Sequence, residues 1–338
     1  MLSVVLSVGQ AKDVPATLTV EQIMLPVLED PSRFDVNMAV LWREDVIELK
    51  ENRRLQVQIL RPKEQGTYPI VVFSGGWSVN FRHYSQILTD LASKGYVIVN
   101  IDHYYQKDTV PHTVEFDDSV ASMKIELENQ DAETKIKRFM RTKFHALEIY
   151  YKDYLFVLRH LREILIQTPS ADFSKIVLMG HSLGGNTAQK TLENFNSLPA
   201  PRDIKAGIKA GIALDSRLNQ LNLKTTFDKP LLLLGAEEEY KKSDPLREVP
   251  KQPNFHFVLL KHAGHVSFMD YVIYPILGKD TNLLFAGLNT SAIQATKKLI
   301  DKVKADHTTF FNGSPAMLVK FISKTTDQID LFLKKTLD

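Results

Sequence analysis

Six short runs of apolar residues recur along the middle of the chain, and they limit the fold more than any other feature of the sequence. Each run contains at most one polar residue and does not alternate, whereas a strand with one face in water alternates apolar and polar residues. Continuous runs are typical of parallel strands whose two faces are both covered by helices. The runs are residues 70–73, 96–101, 175–179, 211–214, 230–234 and 255–260.

Helical patterns lie between these runs, so strands and helices alternate through most of the chain. The longest pattern, residues 132–166, lacks Pro and Gly and repeats apolar residues every three or four positions. Alternation of this kind predicts an α/β fold, with a doubly wound, mostly parallel sheet and helices on both faces. Two upstream segments, 45–49 and 55–60, alternate apolar and polar residues and predict an antiparallel hairpin at the sheet edge.

The 338 residues are enough for one large domain. We predict an N-terminal extension over residues 1–44 and a single domain over residues 45–338. An acidic stretch near 106–131 has no helical or strand period for most of its length and predicts a surface insertion. Helical patterns near 291–305 and 315–337 predict a helical C-terminal tail over residues 270–338.

Composition argues against several classes of protein. The 42 basic and 40 acidic side chains leave a net charge of +2, which gives no reason to expect a nucleic-acid partner. The chain has no cysteine, which excludes disulfides, thiolate metal sites and a cysteine nucleophile. The apolar stretches are far shorter than the roughly 18 residues of a membrane span. Residues 1–11 resemble a secretion signal without its basic start, so the sequence leaves cytoplasmic location and export both open.

The motif Gly-His-Ser-Leu-Gly at residues 180–184 carries the first chemical signal. It follows the apolar run 175–179 and precedes a helical pattern, so Ser182 is predicted at a tight turn between a strand and a helix. Glycines on both sides let strand and helix approach closely, and the turn exposes the serine hydroxyl above the sheet. Ser182 is therefore the candidate nucleophile. The neighbouring His181 is predicted to face away and to have no catalytic role.

Two backbone amides are candidates for binding a developing negative charge on the substrate oxygen. Leu183 follows the serine and begins the helix, where N–H groups point outward and the helix dipole is positive. The loop after the run 70–73 contains Gly75, Gly76 and Trp77, and paired glycines leave backbone amides uncovered. We predict that Trp77 supplies the second amide, with Gly76 as the alternative.

A histidine that follows the nucleophile in chain order is expected to act as the general base. Four histidines follow Ser182. His256 falls inside the last apolar run, and His307 falls in the helical tail. His262 and His265 lie just beyond that run, and we predict His265 as the base, with His262 as the alternative.

The acid that orients the base has two candidate positions, each at the end of an apolar run where loops of a parallel sheet meet. Asp215 directly follows the run 211–214, and Glu239 is the last of three consecutive glutamates after the run 230–234. A run of glutamates is more often a solvated surface. We predict Asp215, with Glu239 as the alternative.

These residues resemble the platelet-activating-factor acetylhydrolase family of α/β-hydrolases, also called the lipoprotein-associated phospholipases. The resemblance covers roughly residues 54–268, although the family usually has His where this chain has Gly75. The segment 211–215 discriminates best, because the family places its catalytic Asp after that strand. The segments that carry the resemblance are 72–77, 88–98, 180–185, 211–215 and 265–270.

The resemblance implies an α/β-hydrolase fold and calcium-independent hydrolysis of short or oxidised acyl esters, including the sn-2 acetyl ester of phospholipids. The Ser-His-Asp chemistry needs no metal and no organic cofactor. Dienelactone-hydrolase-like esterases and cutinase or polyester hydrolases are the alternative relatives, and in those Glu239 would be the acid. The expected partner is a small-molecule or lipid ester. A lipid-surface contact through the amphipathic tail and a non-catalytic binding role also stay open, and the sequence does not fix the oligomeric state.

Overall fold

A mostly parallel sheet of nine strands forms the centre of the described part of the molecule. The computed structural model describes residues 18–26, 28–34, 52–77, 79, 81–103, 132–216, 227–237, 253–276, 278–282, 294, 297–298, 300–301, 304 and 315–337. The strands are β1 (Val20–Met24), β2 (Leu28–Phe34), β3 (Asn52–Pro62), β4 (Tyr68–Ser74), β5 (Val97–Asp102), β6 (Ala171–His181), β7 (Ile208–Leu214), β8 (Leu231–Ala236) and β9 (Phe255–Leu260).

All six continuous apolar runs form strands, β4 to β9, and these pair in parallel. In β4, Ile70 and Val72 pack into one core cluster, while Val71 and Phe73 pack into a second cluster on the other face. All four side chains are fully buried, as expected for a strand between two helical layers. The predicted α/β class with its doubly wound, mostly parallel sheet is confirmed.

The antiparallel edge of the sheet differs from the predicted hairpin. β3 covers the predicted segment 55–60, but it pairs antiparallel with β1, β2 and β5. Residues 45–49 lie outside the described residues. β1 and β2 belong to the predicted N-terminal extension, and the sequence gives little sign of them because edge strands with exposed positions need few apolar residues. The predicted extension therefore contributes two strands to the sheet.

Helices cover both faces of the sheet. The helical segment predicted over 132–166 is divided at His160 into a long helix and a single short turn of helix. The helices are α1 (Ser85–Ser93), α2 (Ala132–Arg159), α3 (Leu161–Ile164), α4 (Leu183–Glu193), α5 (Arg202–Gly207), α6 (Asp270–Ile276) and α7 (Pro315–Leu337).

The tail helix α7 packs its apolar side against the sheet layer. Leu318, Phe321, Ile329 and Leu333 are buried in the same cluster as β7 and α1. This confirms the helical C-terminal tail. Only scattered residues of 291–305 are described, and the predicted insertion at 106–131 and the signal-like residues 1–11 lie outside the described residues. Among the described helices, none is long and apolar enough to cross a membrane.

The strand order reverses at β4. The sheet runs β1-β3-β5-β4-β6-β7-β8-β9, so the chain passes from β4 to β5 on one side and to β6 on the other. At such a switch point the loops after the two neighbouring strands separate and leave a crevice at the carboxyl edge. The loops after β4 and β6 contain Gly75 to Trp77 and Ser182, which places the candidate site at this crevice.

Candidate active site

Ser182 occupies a strained turn between β6 and α4. Its backbone has φ 53° and ψ −116°, a conformation that a serine adopts only when its surroundings impose it. A Cβ atom at Gly180 would lie 2.2 Å from the carbonyl carbon of Gly184, and one at Gly184 would lie 2.0 Å from the Ser74 carbonyl oxygen. The Ser182 N–H donates to the Leu214 carbonyl at 2.9 Å, which ties the turn to β7. Only glycine fits at these two positions, which lie two residues before and two residues after the serine.

His265 lies beside the serine hydroxyl. It begins a short 3-10 turn, His265–Phe268, shortly after β9 ends. Its Nε2 atom lies 2.9 Å from Ser182 Oγ, and its Nδ1 atom lies 2.6 Å from Asp215 Oδ2. A carboxylate only accepts hydrogen bonds, so Nδ1 carries the proton and Nε2 presents a lone pair to the hydroxyl. The Asp215 side chain is 1% exposed, whereas that of His265 is 32% exposed.

Asp215 is anchored to the neighbouring strand by both its backbone and its side chain. Its N–H donates to the Leu234 carbonyl at 2.7 Å, and its Oδ1 accepts the Ala236 N–H at 2.6 Å. These bonds hold the residue at a positive φ of 43° directly after β7. One carboxylate oxygen is thereby fixed to the protein, and the other faces His265.

The alternative base and acid lie elsewhere or outside the described residues. His262 is exposed in the turn after β9, and its backbone N–H donates to Glu237 Oε2 at 3.0 Å. Glu239 lies outside the described residues. The structure therefore brings together Ser182, Asp215 and His265.

The loop after β4 lies against the turn that carries Ser182, which is called the nucleophile elbow. The Gly76 N–H donates to Tyr84 Oη at 2.7 Å, so this amide is already engaged by the protein. Trp77 is half-buried and packs with Tyr150 and Leu183 in a small apolar cluster beside the nucleophile. Of the two amides nominated in this loop, Trp77 is the better candidate, and Leu183 begins α4 as expected.

His181 is completely enclosed and connects three parts of the site. Its Nε2 lies 2.9 Å from the His265 carbonyl oxygen and its Nδ1 lies 2.9 Å from Tyr84 Oη. Because a carbonyl only accepts, Nε2–H donates to it and the Tyr84 hydroxyl donates to Nδ1. Burial lowers the pKa of His181 well below its ordinary value, and the nearby His265 adds to this effect, so the ring is neutral. Nothing in the sequence beyond its place in the motif indicates this linking position.

A second Ser-His-Asp arrangement lies behind the loop after β4, and sequence reasoning missed it. His103 Nε2 lies 2.8 Å from Ser74 Oγ, and His103 Nδ1 lies 2.9 Å from Asp153 Oδ2. The His103 ring stacks on Tyr150 at a centroid distance of 3.8 Å. His103 directly follows β5, and Tyr150 and Asp153 are polar residues three apart on the inward face of α2, but the sequence does not show that these positions meet.

Asp270 is a further buried carboxylate, and it lies shortly after the turn that carries His265. It accepts the Gln86 N–H at the start of α1, with oxygen distances of 3.1 and 3.3 Å. Burial raises the pKa of this carboxyl to about 7, although the backbone bonds from Gln86 and Ser85 and the charge of Lys279 oppose the shift. Among the described residues, no group of three or more His, Asp or Glu side chains is arranged to hold a metal ion.

Comparison with known proteins gives matches to hydrolases. A family model described as Chlorophyllase matches residues 37–126, which include β3 to β5 but not the elbow. The platelet-activating factor acetylhydrolase of Canis lupus familiaris is 25% identical over 229 residues, covering 60% of this chain and 48% of that protein. That of Cavia porcellus is 22% identical over 231 residues, covering 60% of this chain and 49% of that protein. The chain thus spans about half the length of these curated relatives.

The described fold also resembles that of a ferulic acid esterase from Streptomyces cinnamoneus. The two structures superpose with a TM-score of 0.51 at 21% sequence identity, covering 90% of this chain and 93% of the other. At this identity the likeness informs on the fold alone. The chain therefore has the α/β-hydrolase fold, and in sequence it is similar to the platelet-activating factor acetylhydrolases, as its motifs indicated.

Proposed function

We propose that this protein is a serine esterase that works through Ser182, His265 and Asp215 and forms an acyl-enzyme. The observation that carries the proposal is the hydrogen bond between His265 Nε2 and Ser182 Oγ at a strained elbow, with His265 Nδ1 bonded to a buried carboxylate. This arrangement has the nucleophile, the base and the orienting acid in direct contact.

In the proposed reaction, His265 Nε2 accepts the Ser182 proton as Oγ attacks the ester carbonyl carbon. Asp215 stabilises the imidazolium that forms and keeps the proton on Nδ1. Collapse of the tetrahedral intermediate breaks the ester C–O bond, and the leaving alcohol takes the proton from Nε2. Water, deprotonated by the same nitrogen, then attacks the acyl carbon. The bond between that carbon and Ser182 Oγ breaks, Oγ takes the proton back from Nε2, and the carboxylic acid leaves.

The amides of Trp77 and Leu183 are proposed to bind the carbonyl oxygen as its negative charge develops. Leu183 is suited to this because it begins α4, where backbone N–H groups have no partner within the helix. Trp77 is favoured over Gly76 because the Gly76 N–H donates to Tyr84. Loss of one such donor typically costs a factor of about a hundred or more in rate.

For the substrate we propose short or oxidised acyl esters, including the sn-2 acetyl ester of a phospholipid. Two observations support this class. The curated relatives are acetylhydrolases by name, and the acid follows β7, as in that family. The half-buried indole of Trp77 packs beside the nucleophile, and an apolar ring there suits an uncharged acyl or alkyl group better than a charged one.

A broader carboxylesterase is the second candidate, similar to dienelactone hydrolases or to cutinase and polyester hydrolases. It is favoured by the family model described as Chlorophyllase, which matches residues 37–126. The acylation and deacylation at Ser182 would be the same in both cases. The two candidates differ in the ester that is cleaved and in the acid, which would be Glu239 in the dienelactone-hydrolase-like or cutinase-like case.

Labelling with a fluorophosphonate probe tests the serine hydrolase proposal. We expect one adduct per chain on Ser182, identified by mass spectrometry of the peptide, and no adduct after Ser182→Ala. Ser197→Ala is the matched control, because its hydroxyl is exposed and only donates to the Asn194 carbonyl. If the unmodified protein is not labelled, or if Ser182→Ala is labelled equally, the protein is a binding module and not a serine hydrolase.

A panel of esters separates the two substrate candidates. It contains p-nitrophenyl esters with acyl chains of two to sixteen carbons, a feruloyl ester and an sn-2 acetyl phospholipid. We expect kcat/KM to be highest for two to four acyl carbons and for the sn-2 acetyl phospholipid. Cleavage of only long acyl chains or of the feruloyl ester would reject the acetylhydrolase specificity and keep the esterase mechanism.

A further inference from the structure

The peptide group between Gly76 and Trp77 is held from inside the protein by a hydroxyl that the proposed mechanism does not use. Tyr150 Oη donates to the Gly76 carbonyl oxygen at 3.0 Å, and the Val79 N–H donates to the same oxygen at 3.2 Å. No described peptide bond is cis. In a trans peptide the C=O and the following N–H point in opposite directions. Fixing the Gly76 carbonyl therefore fixes the direction of the Trp77 N–H.

Tyr150 is itself held in one orientation. Its side chain is almost completely buried, and its ring lies nearly parallel to that of His103, with an interplanar angle of 15° and a centroid distance of 3.8 Å. A stacked, buried ring cannot rotate away from the carbonyl without opening the core. The hydroxyl is thus presented to Gly76 at a fixed position.

His103 is fixed in turn by hydrogen bonds at both ring nitrogens. Its Nδ1 bonds Asp153 Oδ2, which requires a proton on Nδ1, so Nε2 accepts the Ser74 hydroxyl at 2.8 Å. The His103 and Asp153 side chains are 2% and 0% exposed, so water does not compete for these bonds. Asp153 and Tyr150 lie three residues apart on one face of α2, so the same helix supports the imidazole and the ring stacked on it.

The loop is therefore attached at both of its ends. Ser74, the last residue of β4, is bonded to His103, and Gly76 is bonded to Tyr150 on one side and to Tyr84 on the other. These contacts come from α2, from the residue directly after β5 and from the segment before α1. Such a rigid support is what a preorganised donor needs, because a donor that must reorient during the reaction stabilises the transition state less.

We infer that Tyr150 is a positioning residue that aims the Trp77 N–H at the developing oxyanion, with the His103 and Asp153 pair holding its ring in place. The inference rests on the proposed function, since it concerns the same reaction at Ser182. It predicts an effect on the transition state and little effect on substrate binding. If the network only stabilised the fold, its loss would lower the free energy of unfolding and would not lower kcat selectively at constant KM.

Tyr150→Phe is the direct test, because it removes the hydroxyl and keeps the ring that stacks on His103. We expect kcat for a short p-nitrophenyl ester to fall about tenfold with KM within twofold, since one neutral hydrogen bond is lost and Val79 still holds the carbonyl. The second-order rate of fluorophosphonate labelling should fall by a similar factor, because the probe also develops charge on an oxygen at this position. Tyr151→Phe is the matched control: it is the same change one residue along α2, on a ring that faces Lys190, and both rates should be unchanged.

Asp153→Asn is the second variant and acts through His103. Its amide group disfavours the proton on Nδ1, so the imidazole and the Tyr150 ring lose their fixed arrangement. We expect a lower kcat at unchanged KM here too, with a folded circular dichroism spectrum recorded for each variant. If Tyr150→Phe is labelled at Ser182 as fast as the parent and keeps its kcat, the positioning role is wrong while the esterase proposal stands. If the parent is not labelled at all, both fail.

Discussion

The described part of the molecule contains two hydrogen-bonded chains of Ser, His and Asp side chains, an exposed chain and a buried chain, with nearly the same hydrogen-bond lengths. In one, Ser182, His265 and Asp215 are joined by distances of 2.9 and 2.6 Å. In the other, Ser74, His103 and Asp153 are joined by distances of 2.8 and 2.9 Å. The distances between these side-chain types therefore do not by themselves identify a catalytic site.

Exposure and backbone geometry separate the two chains. The His265 side chain is 32% exposed, whereas that of His103 is 2% exposed. Ser182 has a positive φ in a turn above the sheet, whereas Ser74 is a fully buried residue of β4. An ester can reach a hydroxyl that a strained turn pushes out of the sheet, but it cannot reach one inside a strand. The difference supports the proposed chemistry at the first chain and the proposed support of the neighbouring loop by the second.

The largest expected effect comes from changing the acid of the exposed chain. Asp215→Asn places an amide donor against His265 Nδ1 and favours the tautomer with its proton on Nε2, which cannot accept the Ser182 proton. We expect kcat to fall by about four orders of magnitude with little change in KM. Steady-state hydrolysis of a short p-nitrophenyl ester measures this effect.

Glu239→Gln is the matched control, because Glu239 is the other carboxylate that the sequence nominates. It should leave kcat and KM unchanged, because the proposed reaction does not use Glu239. Loss of activity in Glu239→Gln and retention in Asp215→Asn would reverse the assignment and make the acid that of the cutinase-like relatives.

The buried chain gives the next effect in size. Ser74→Ala removes the hydroxyl that donates to His103 Nε2, so the imidazole loses one of its two bonds. We expect kcat to fall between about threefold and tenfold and the free energy of unfolding to fall by about 1 kcal/mol, as for one neutral hydrogen bond. Fluorophosphonate should still label Ser182 to completion. An adduct on Ser74 in the parent protein, or a loss as large as that of Ser182→Ala, would contradict the division of roles.

The same contrast explains how much the sequence alone could predict. Ser182, Asp215 and His265 each follow a buried strand or lie in the loop just beyond one. Since parallel strands end at one edge of the sheet, these residues meet whatever the details of the loops. Strands β4 to β9 could be predicted equally well, because each coincides with an apolar run that no helix period explains.

The buried chain could not be predicted in this way. Asp153 and Tyr150 belong to a helix whose sequence predicts only an inward face, and their meeting with His103 depends on the angle at which α2 crosses the sheet. The sequence predicts no catalytic role for His181, and its link between Tyr84 and the His265 carbonyl depends on the fold of a distant loop. β1 and β2 were missed because edge strands with polar, exposed positions leave a weak pattern. Contacts set by packing angles have no local sequence signal.

Asp270 sharpens the comparison, because it is a buried carboxylate that bonds backbone amides of a helix start instead of an imidazole. Burial raises its pKa from an ordinary value of 3.8 to about 7. Between these two pH values the folded protein holds a proton that the unfolded chain releases, so the free energy of unfolding falls as pH rises from about 4 to 7. The full shift corresponds to roughly 4 kcal/mol. The groups that face this carboxyl are the Ser85 and Gln86 donors and Lys279. Burial raises the pKa of the neighbouring Tyr274 to about 12, and the charge of Asp270 adds to this effect.

Asp270→Asn is expected to have the smallest effect on catalysis. Its main effect is on the pH dependence of the free energy of unfolding. The amide is neutral throughout, so the contribution of this site to the pH dependence should disappear. Urea unfolding of the parent and the variant at pH 4.5, 5.5, 6.5 and 7.5 measures it. We expect the difference in unfolding free energy to change steadily in favour of the variant as pH rises, with kcat near pH 7 altered less than threefold.

Asp280→Asn, an exposed change at the end of the same segment, should keep the parent's slope. Equal slopes in the parent and in Asp270→Asn would mean that Asp270 is ionised in the folded protein over the whole range. The amides at the start of α1 would then keep a buried carboxylate charged without an imidazole beside it. In that case the two Ser-His-Asp chains would need their histidines for chemistry and for positioning, and not to neutralise a buried charge.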